Sequence, residues 1–379
     1  MTVRPLLVAS GGGGDALAAL LVSRDSTGHP APVVASYSWD RFLIDPRPGP
    51  RSVEDFDRVT TWGDEVLVVL PGSELRGQGR STLSLLARET AATVVLLDPA
   101  PGARGLRRQI AEAASLTGAT SIRVVDVGGD IIAQGDEPSL KSPLADSLIL
   151  AAVLDQILPV SVVVAGPGLD GELPPDYVVA RAERVAAHRT RLSEDDVRPY
   201  LGVLRSHPSE AATLLAAAAL GVTGAAEIRD SAPLVSVSPA SADVYEMPLS
   251  AAVALNPLAA ALAQTRTLGE AEQVLKAEIG GNELDYERAK AARTPLPDHA
   301  LGDDLEVRRS LHRHLSAARE RGATLTSFRR LTEALGPYRF DPDAVRLLLG
   351  ELGDPDLTVC HLFADRVDTR GTRGVLRRA

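Results

Sequence analysis

Carboxylates and glycines stand together directly after short apolar runs in the first half of this sequence. The first run ends in Ser-Gly-Gly-Gly-Gly-Asp, so four glycines precede Asp15. A later run ends near Asp126, and Asp130 follows after a glycine pair. Glycines let a backbone approach a ligand closely, and neighbouring carboxylates bind a hard cation or divide the roles of general acid and base. The two loops therefore predict a site for a polar ligand and a divalent cation, with Mg²⁺ as the expected ion.

The position of Asp15 bears on the kind of ligand that the glycine loop would hold. Gly11, Gly13 and Ala16 fit the spacing of a dinucleotide-binding loop, and Asp40 ends the second run where an acid would bind a ribose. A carboxylate at the start of the following helix would occupy the pyrophosphate position or repel the pyrophosphate. Asp15 then either caps its own helix or faces a cation, and the sequence leaves both interpretations open.

Two further loops extend the pattern of glycines and charged groups. The sixth run is followed by Asp170 and Glu172 on either side of a glycine, which repeats the pairing of carboxylates. The loop after the third run contains Gly72 and Arg76, whose backbone and guanidinium groups would suit an anion. Like charges gathered at one edge of a sheet cost stability unless a ligand neutralises them, so this recurrence favours a functional site.

The predicted site residues fall into three groups by the chemistry expected of them. The metal ligands are Asp15, Asp126 and Asp130, and the acid–base residues are Asp130, Asp170 and Glu172. The residues expected to contact the ligand are Gly11, Gly12, Gly13, Gly14, Asp40, Gly72, Arg76, Gly128 and Gly129.

Six apolar runs position these loops. The runs lie at 5–10, 32–39, 65–72, 92–99, 121–129 and 160–168, and helical periodicity separates them at 15–24, 81–90, 103–117 and 143–157. Continuously apolar runs are typical of parallel strands that are buried on both faces. The sequence therefore predicts an α/β fold with a doubly wound, mostly parallel, Rossmann-like sheet and a helical C-terminal extension. Ligands of such sheets bind at the carboxyl ends of the strands, so the loops are expected to meet there.

Two helices beside the predicted loops have distinct sequence signals. Ser142 and Pro143 predict the start of one helix, as its N-cap and its first helical residue. The stretch 280–293 carries many charges, among them Glu283 and Glu287, and favours an exposed helix with ion pairs between successive turns, although it could also reach over the edge of the site because Tyr286 stands among these charges.

The domain boundaries follow from the change of pattern along the chain. Residues 1–293 are predicted to form the Rossmann-like domain, helix-rich from about 175, with a hairpin or two edge strands at 233–248. A linker at 294–304 leads to a small helical domain at 305–365, and a disordered basic tail follows at 366–379.

The composition excludes several classes of protein. A net charge of −10 argues against a general binder of nucleic acids or anionic membranes. The single cysteine, Cys360, permits neither an intramolecular disulfide nor a thiolate zinc site. The sequence lacks the Gly-Lys-Ser/Thr of P-loop NTPases and the Gly-x-Ser-x-Gly of serine hydrolases. The apolar runs are too short to span a bilayer and the N-terminus lacks a signal-peptide core, so we expect a cytoplasmic protein, as a monomer or homo-oligomer.

Four loops of the chain also resemble a known family. The uncharacterised archaeal and actinobacterial family named domain of unknown function 1152 is similar in the segments ASGGGGDALAA, SWDRFLIDPRPGPR, VVDVGGDIIAQGDEPSLKSPLADSLILAA and GPGLDGEL. The resemblance covers roughly residues 5–293 and includes residues after about 300 only loosely. It implies a Rossmann-like α/β architecture and brings no established reaction, cofactor or catalytic residue.

Three functions are compatible with these observations. The favoured hypothesis is an enzyme, as a metal-assisted lyase, hydrolase or transferase, that acts on a nucleotide-like, phosphorylated or amino-group-bearing small molecule. One alternative is an oxidoreductase dependent on NAD(P) or FAD that uses Gly11, Gly13 and Asp40. The other is a non-enzymatic protein that senses a metabolite or binds a partner through its Arg-rich C-terminal helices.

Overall fold

All six apolar runs form β-strands in the computed structural model, which describes residues 4–23, 31–42, 44–229, 233–293, 304–335 and 358–360. The strands are β1 (Pro5–Ala9), β2 (Val33–Ser36), β3 (Val59–Trp62), β4 (Val66–Val69), β5 (Thr93–Leu96), β6 (Ser121–Val127), β7 (Val160–Ala165), β8 (His188–Arg191), β9 (Gly224–Glu227), β10 (Leu234–Val237), β11 (Asp243–Pro248), β12 (Leu325–Ser327) and β13 (Thr358–Cys360).

Helices follow most of the strands. They are α1 (Gly13–Val22), α2 (Thr82–Glu89), α3 (Gly102–Thr117), α4 (Pro143–Val153), α5 (Pro175–Arg184), α6 (Glu194–Val197), α7 (Leu201–Leu204), α8 (Glu210–Ala219), α9 (Leu249–Leu255), α10 (Leu258–Leu262), α11 (Leu268–Ile279), α12 (Glu283–Arg293), α13 (Asp304–Glu320) and α14 (Phe328–Leu335). Within the described ranges, none of the helices is both long enough and apolar enough to cross a membrane.

Nine of the strands form one sheet in the order β3-β4-β5-β2-β1-β6-β7-β11-β8. The five central strands, β5-β2-β1-β6-β7, are parallel. On each side lie two further strands, each antiparallel to its inner neighbour. Numbered along the chain, the parallel strands have the order 3-2-1-4-5, so the direction of winding reverses between β1 and β6. This confirms the predicted α/β fold with a doubly wound, mostly parallel sheet. A ligand crevice is expected where the winding reverses, beyond the carboxyl ends of β1 and β6.

Helices cover both faces of the sheet, which explains why the strands are apolar along their length. In β1, Leu7 and Ala9 belong to the core on one face, and Leu6 and Val8 belong to the core on the other. The first core includes α1, α2 and α8, and the second includes α3, α4 and α11. Each fully buried leucine stabilises the fold by about 1.5–3 kcal/mol, so both layers stabilise the sheet that carries the loops.

The segment 233–248 does not form the predicted hairpin. Its first strand, β10, pairs with β9 in a four-stranded sheet, whereas β11 lies between β7 and β8 in the large sheet. A 3-10 helix at Pro239–Ala242 carries the chain from one sheet to the other. β10 is an edge strand, as the second alternative expected, but β11 is internal. Side-chain alternation indicates which face a residue takes, but it does not specify the neighbouring strand.

The C-terminal region shares a sheet with the preceding part of the chain. β12 pairs in parallel with both β9 and β13, which gives the order β10-β9-β12-β13. The predicted boundary between 1–293 and a separate domain at 305–365 therefore divides strands that belong to one sheet. The linker residues 294–303, the stretch 336–357 and the whole of 361–379, with the predicted tail, lie outside the described residues.

Candidate functional site

A pocket opens at the carboxyl ends of β1 and β6, where the winding of the sheet reverses. Its empty volume is about 950 Å³, which includes the solvent-open mouth. Ten carboxylates line it: Asp15, Asp40, Asp126, Asp130, Asp146, Asp170, Glu172, Glu210, Glu283 and Glu287. Three arginines, Arg41, Arg229 and Arg329, also line the pocket. The excess of acidic groups makes this a pocket that favours positive charge.

Three aspartates from different elements meet at the base of the pocket. Asp15 belongs to α1, Asp126 to β6 and Asp146 to α4, and one carboxylate oxygen of each lies within 4.8 Å of the others. All three side chains are buried, and we call them the aspartate triad. A cation placed among these oxygens could bind all three.

Asp15 connects two of the loops that form the pocket. Its Oδ2 accepts the Gly11 N–H at 2.6 Å, and its Oδ1 accepts the Val127 N–H at 3.0 Å. Gly11 precedes α1, so Asp15 does not cap the first-turn amides of its own helix, and the N-cap residue, Gly12, makes no side-chain capping bond. The carboxylate therefore ties the loop after β1 to the end of β6 while it remains part of the triad.

The other two aspartates of the triad lack such partners on one oxygen each. Within the described part of the chain, Asp126 Oδ2 and Asp146 Oδ1 are buried and have no hydrogen-bond partner. Burial raises the pKa of both groups well above its ordinary value, and the neighbouring carboxylates raise it further. Burial also raises the pKa of Asp15 to about 6, against the effect of its two backbone donors. The triad thus concentrates carboxylates in a place where the protein itself supplies too few donors.

Beside the triad lies a second group of acids, Asp130, Asp170 and Glu172, whose carboxylate oxygens also come within 4.8 Å of one another. With Arg229 we call it the acid–arginine cluster. Glu172 Oε2 accepts the N–H groups of Lys141 (2.7 Å) and Ser142 (3.0 Å), and Glu172 Oε1 lies 3.3 Å from Arg229.

Protein donors satisfy much of this second group. Asp170 accepts the Glu172 N–H at 3.2 Å, and the Ser142 hydroxyl lies 3.0 Å from Asp130 Oδ2. Unlike the triad, the cluster contains its own cation, Arg229, so it needs less positive charge from a ligand.

Burial sets the proton affinities in the cluster. It raises the pKa of Asp170 to about 7, with a further increase from Glu172 and a decrease from Arg229. Burial and then Asp146 raise the pKa of Asp130 well above its ordinary value. Asp130 also lies within hydrogen-bond reach of Asp126, so the cluster adjoins the triad. Two groups that hold a proton near neutral pH therefore stand next to the expected cation position.

Two glycines make the turn that brings Asp130 into the pocket. Gly128 and Gly129 have φ angles of +125° and +114°, which disfavour residues with a side chain. A Cβ on Gly128 would lie 2.4 Å from Asp170 Cγ, and one on Gly129 would lie 2.4 Å from Val178 Cγ1. These glycines allow close packing behind the site and do not line the pocket, contrary to their predicted role in ligand contact.

The start of α4 is capped by a residue that is distant in the sequence. Pro143 is the first helical residue, as predicted, but the Ser142 side chain makes no capping bond and points to the acid–arginine cluster instead. Glu283 of α12 accepts the N–H groups of Leu144 (2.9 Å) and Ala145 (2.8 Å). Burial raises the pKa of Glu283 to about 8.

The prediction of an exposed helix at 280–293 is wrong for the face that carries Glu283 and Glu287. Glu283 is buried, and Glu287 accepts the Trp39 indole N–H at 3.0 Å and the Gly49 N–H at 2.8 Å. The opposite face is exposed, as Asp285 and Arg288 show. α12 therefore forms one wall of the pocket.

Asp40 lines the pocket, but its oxygens are already bonded. Oδ2 accepts the Thr82 N–H at 3.1 Å, and Oδ1 accepts the Thr82 hydroxyl. Asp40 thus caps the start of α2, and burial raises its pKa to about 6. A Cβ on Gly13 would lie within 2 Å of Thr82 Oγ1, so Gly13 permits α1 to approach α2. Gly11, Gly12 and Gly14 line the pocket, whereas Gly13 does not.

The predicted anion loop after the third run is not part of the site. Gly72 and Arg76 do not line the pocket. Arg76 donates from its backbone N–H to the Asp55 carbonyl (2.7 Å) and from Nε to the Phe56 carbonyl (2.8 Å), so it packs against its own neighbouring loop. β4 is antiparallel to β5, so β4 ends beside the start of β5. The loop after β4 therefore leaves the sheet at the amino ends of the parallel strands, opposite the pocket.

Several pocket residues were absent from the prediction. Asp146 had a usable signal, because it is an acid in the otherwise apolar, fully buried helix α4. No sequence signal marked His207, Arg229 or Arg329, because these residues come from irregular or C-terminal parts of the chain. His207 accepts the Ser209 N–H through Nδ1 at 3.2 Å, and burial lowers its pKa to about 3, so it is a neutral group of the wall.

The fold and the pocket together define an α/β protein with an acidic crevice at the switch point of a Rossmann-type sheet. The chain belongs to the family described as a protein of unknown function, DUF1152, which it matches over residues 6–291. This confirms the resemblance of the four loops. No curated protein and no solved structure matches the chain. The family match ends before α13, so Arg329 lies beyond it.

Proposed function

We propose that this protein is an enzyme that binds a divalent cation at the aspartate triad and acts on a small polar molecule. The observation that carries the proposal is the pair of buried oxygens, Asp126 Oδ2 and Asp146 Oδ1, which make no hydrogen bond to the described residues, although the Ser10 hydroxyl lies close to Asp146 and lowers its pKa. A buried carboxylate without a partner costs free energy, which a bound cation would recover. A donor set made of oxygens alone suits Mg²⁺ or Mn²⁺.

The proposed metal site differs in one residue from the set that the sequence predicts. Asp15 and Asp126 remain ligands, and Asp146 replaces Asp130. Asp130 falls in the acid–arginine cluster, where the Ser142 hydroxyl lies close to it. Three carboxylates occupy about half of an octahedral shell, so water and substrate would complete it.

The acid–arginine cluster suits the transfer of protons beside the cation. A divalent ion would polarise a substrate oxygen or activate a bound water. Asp130 and Asp170 would give and receive the protons, while Glu172 holds Ser142 and Arg229 in position. This combination supports a metal-assisted hydrolase, lyase or transferase.

A dinucleotide-dependent oxidoreductase is the weaker proposal. Asp15 already accepts the Gly11 amide that would face a pyrophosphate, and Thr82 already occupies both oxygens of Asp40. A metabolite-sensing protein would use the same pocket, and the absence of turnover would distinguish it from an enzyme.

Calorimetric titration with MnCl₂ tests the metal site directly. The wild type should bind one Mn²⁺ per chain, and Asp146→Asn should weaken the binding at least 10-fold because one ligand charge is lost. Asp136→Asn is the matched control, since Asp136 is exposed and lies outside the pocket. The proposal fails if the wild type binds no Mn²⁺, or if Asp146→Asn and Asp136→Asn bind it equally well.

A further inference from the structure

The C-terminal segment, defined as residues 304–335, is attached to the strand that leads into the pocket. β12 pairs with β9 through Leu325 opposite Ala226 and Thr326 opposite Glu227. Glu227 is fully buried and accepts bonds from Arg321 (2.8 Å) and Arg330 (2.8 Å) of the segment. Since β9 ends at Glu227, the segment fixes the point where the chain turns towards the pocket.

Arg229 follows two residues later in a strained backbone conformation. Its φ is +56°, a left-handed value that is uncommon for a residue with a side chain and that persists only when the surroundings impose it. This turn directs the guanidinium to Glu172 at 3.3 Å and to the Asp170 carbonyl. The conformation of Arg229 therefore decides whether the acid–arginine cluster contains its cation.

Glu210 imposes that conformation on Arg229. It is the first residue of α8, it is buried, and its Oε1 accepts the Arg229 N–H at 3.1 Å. The same oxygen accepts the Ser327 hydroxyl, and Oε2 lies 3.5 Å from Arg329. Two residues of the C-terminal segment thus orient the carboxylate that holds the Arg229 backbone.

We infer that Ser327 and Arg329 are positioning residues of the site, which fix Arg229 in the pocket through Glu210. The C-terminal segment is accordingly part of the functional unit, although the family match ends before it. The role of the acid–arginine cluster in proton transfer rests on the proposed function, whereas the coupling from Ser327 to Arg229 does not.

Nuclear magnetic resonance of the arginine guanidinium N–H groups, whose terminal nitrogens make the Arg229 contacts, tests this coupling in the full chain. The Arg229 signal is assigned by its loss in Arg229→Lys, and its exchange with solvent is measured without any added ligand. Ser327→Ala and Arg329→Gln should each accelerate that exchange at least 10-fold, and Ser327→Thr, which keeps the hydroxyl, should restore it. Arg313→Gln on the same segment is the control, because Arg313 is exposed.

The outcomes separate this inference from the proposed function. Unchanged Arg229 exchange in Ser327→Ala and Arg329→Gln would overturn the inference, and so would equal effects of Ser327→Ala and Ser327→Thr. Mn²⁺ titration of the same samples is a separate readout. A wild type that binds no Mn²⁺ contradicts the metal site and leaves the exchange result to decide the inference.

Discussion

Asp15 has a structural role that differs from the helix cap expected as one alternative from the sequence. Its oxygens accept the amides of Gly11 and Val127, which is a structural role in the loop. The same carboxylate faces Asp126 and Asp146, which is the arrangement expected of a cation ligand. A metal ligand needs a fixed orientation, and backbone donors provide it without adding charge.

Asparagine at position 146 should stabilise the metal-free protein. Asp146 is a buried acid with one unpartnered oxygen, and its ionisation is opposed by burial and by neighbouring carboxylates. Asp146→Asn removes the free-energy cost of burying this ionisable carboxyl, so we expect the free energy of unfolding at neutral pH to rise by about 1 kcal/mol or more. Chemical denaturation in the presence of a chelator measures this change.

The same variant should lose the stabilisation that Mn²⁺ gives to the wild type. Asp136→Asn should behave as the wild type in both conditions. A metal-free Asp146→Asn protein that is less stable than the wild type would show that Asp146 contributes to the fold rather than to a ligand site.

At the residue level, the sequence predicted those pocket residues that lie at the ends of strands or in the loops after them. Asp126, Asp130 and Asp170 lie at the carboxyl ends of adjacent parallel strands, and this order alone brings them together. Glu283 could not be predicted in this way, because its burial depends on how α12 packs against the start of α4.

Among the elements, the turn after β6 is the one on which the site depends most. Gly128→Ala would force a side chain into a φ of +125° and to within 2.4 Å of Asp170 Cγ. We expect a loss of more than about 2 kcal/mol in unfolding free energy together with loss of Mn²⁺ binding. Thermal unfolding and calorimetric titration measure the two effects.

Gly77→Ala separates backbone strain from the steric clash. Gly77 also has a positive φ, +86°, but a Cβ there meets no atom within 4 Å. This variant should lose only about 1 kcal/mol and should bind Mn²⁺ normally. Equal effects of the two substitutions would mean that the contact with Asp170 is unimportant.

Attachment of the C-terminal segment should depend on pH through Glu227. Burial raises the pKa of Glu227, but hydrogen bonds from Arg330 and Arg321 outweigh this effect and hold the pKa below its ordinary value. The stabilisation is therefore present above the pKa of an unfolded glutamate and is lost as the pH falls through the folded value. Hydrogen exchange of residues 304–335 should accelerate at acidic pH.

Glu227→Gln should reproduce the acidic state at neutral pH, with a loss of about 2–4 kcal/mol in local stability because two arginines lose a buried partner. Glu272→Gln is the control, since the pair of Glu272 with Arg288 lies nearer the surface and should contribute less than about 1 kcal/mol. Slow exchange of 304–335 in Glu227→Gln at neutral pH would show that strand pairing alone holds the segment.

For the whole molecule, the strand pattern predicted the fold because buried parallel strands leave continuous apolar runs. The pairing of strands that are far apart in the sequence was harder to predict. β10 and β11 are neighbours in sequence but lie in different sheets, and β12 returns to β9 from about 100 residues away. Such pairings depend on the packing of the completed layers, which local periodicity does not encode.

The net charge of the whole chain has the same sign as the charge of the pocket. The chain carries a net charge of −10, and ten carboxylates line one pocket together with three arginines. Arg229 and Arg329 already pair with Glu172 and Glu210, whereas the triad forms no ion pair among the described residues and Arg41 only lowers the pKa of Asp15. A divalent cation would supply positive charge at the triad.

Anomalous diffraction from crystals grown with MnCl₂ is the most direct test of this account. We predict a single strong peak among the carboxylate oxygens of Asp15, Asp126 and Asp146, at about 2.2 Å from each, close to the distances of hard cations to carboxylates. An ordered triad without a peak, or a peak that lies elsewhere, would contradict it.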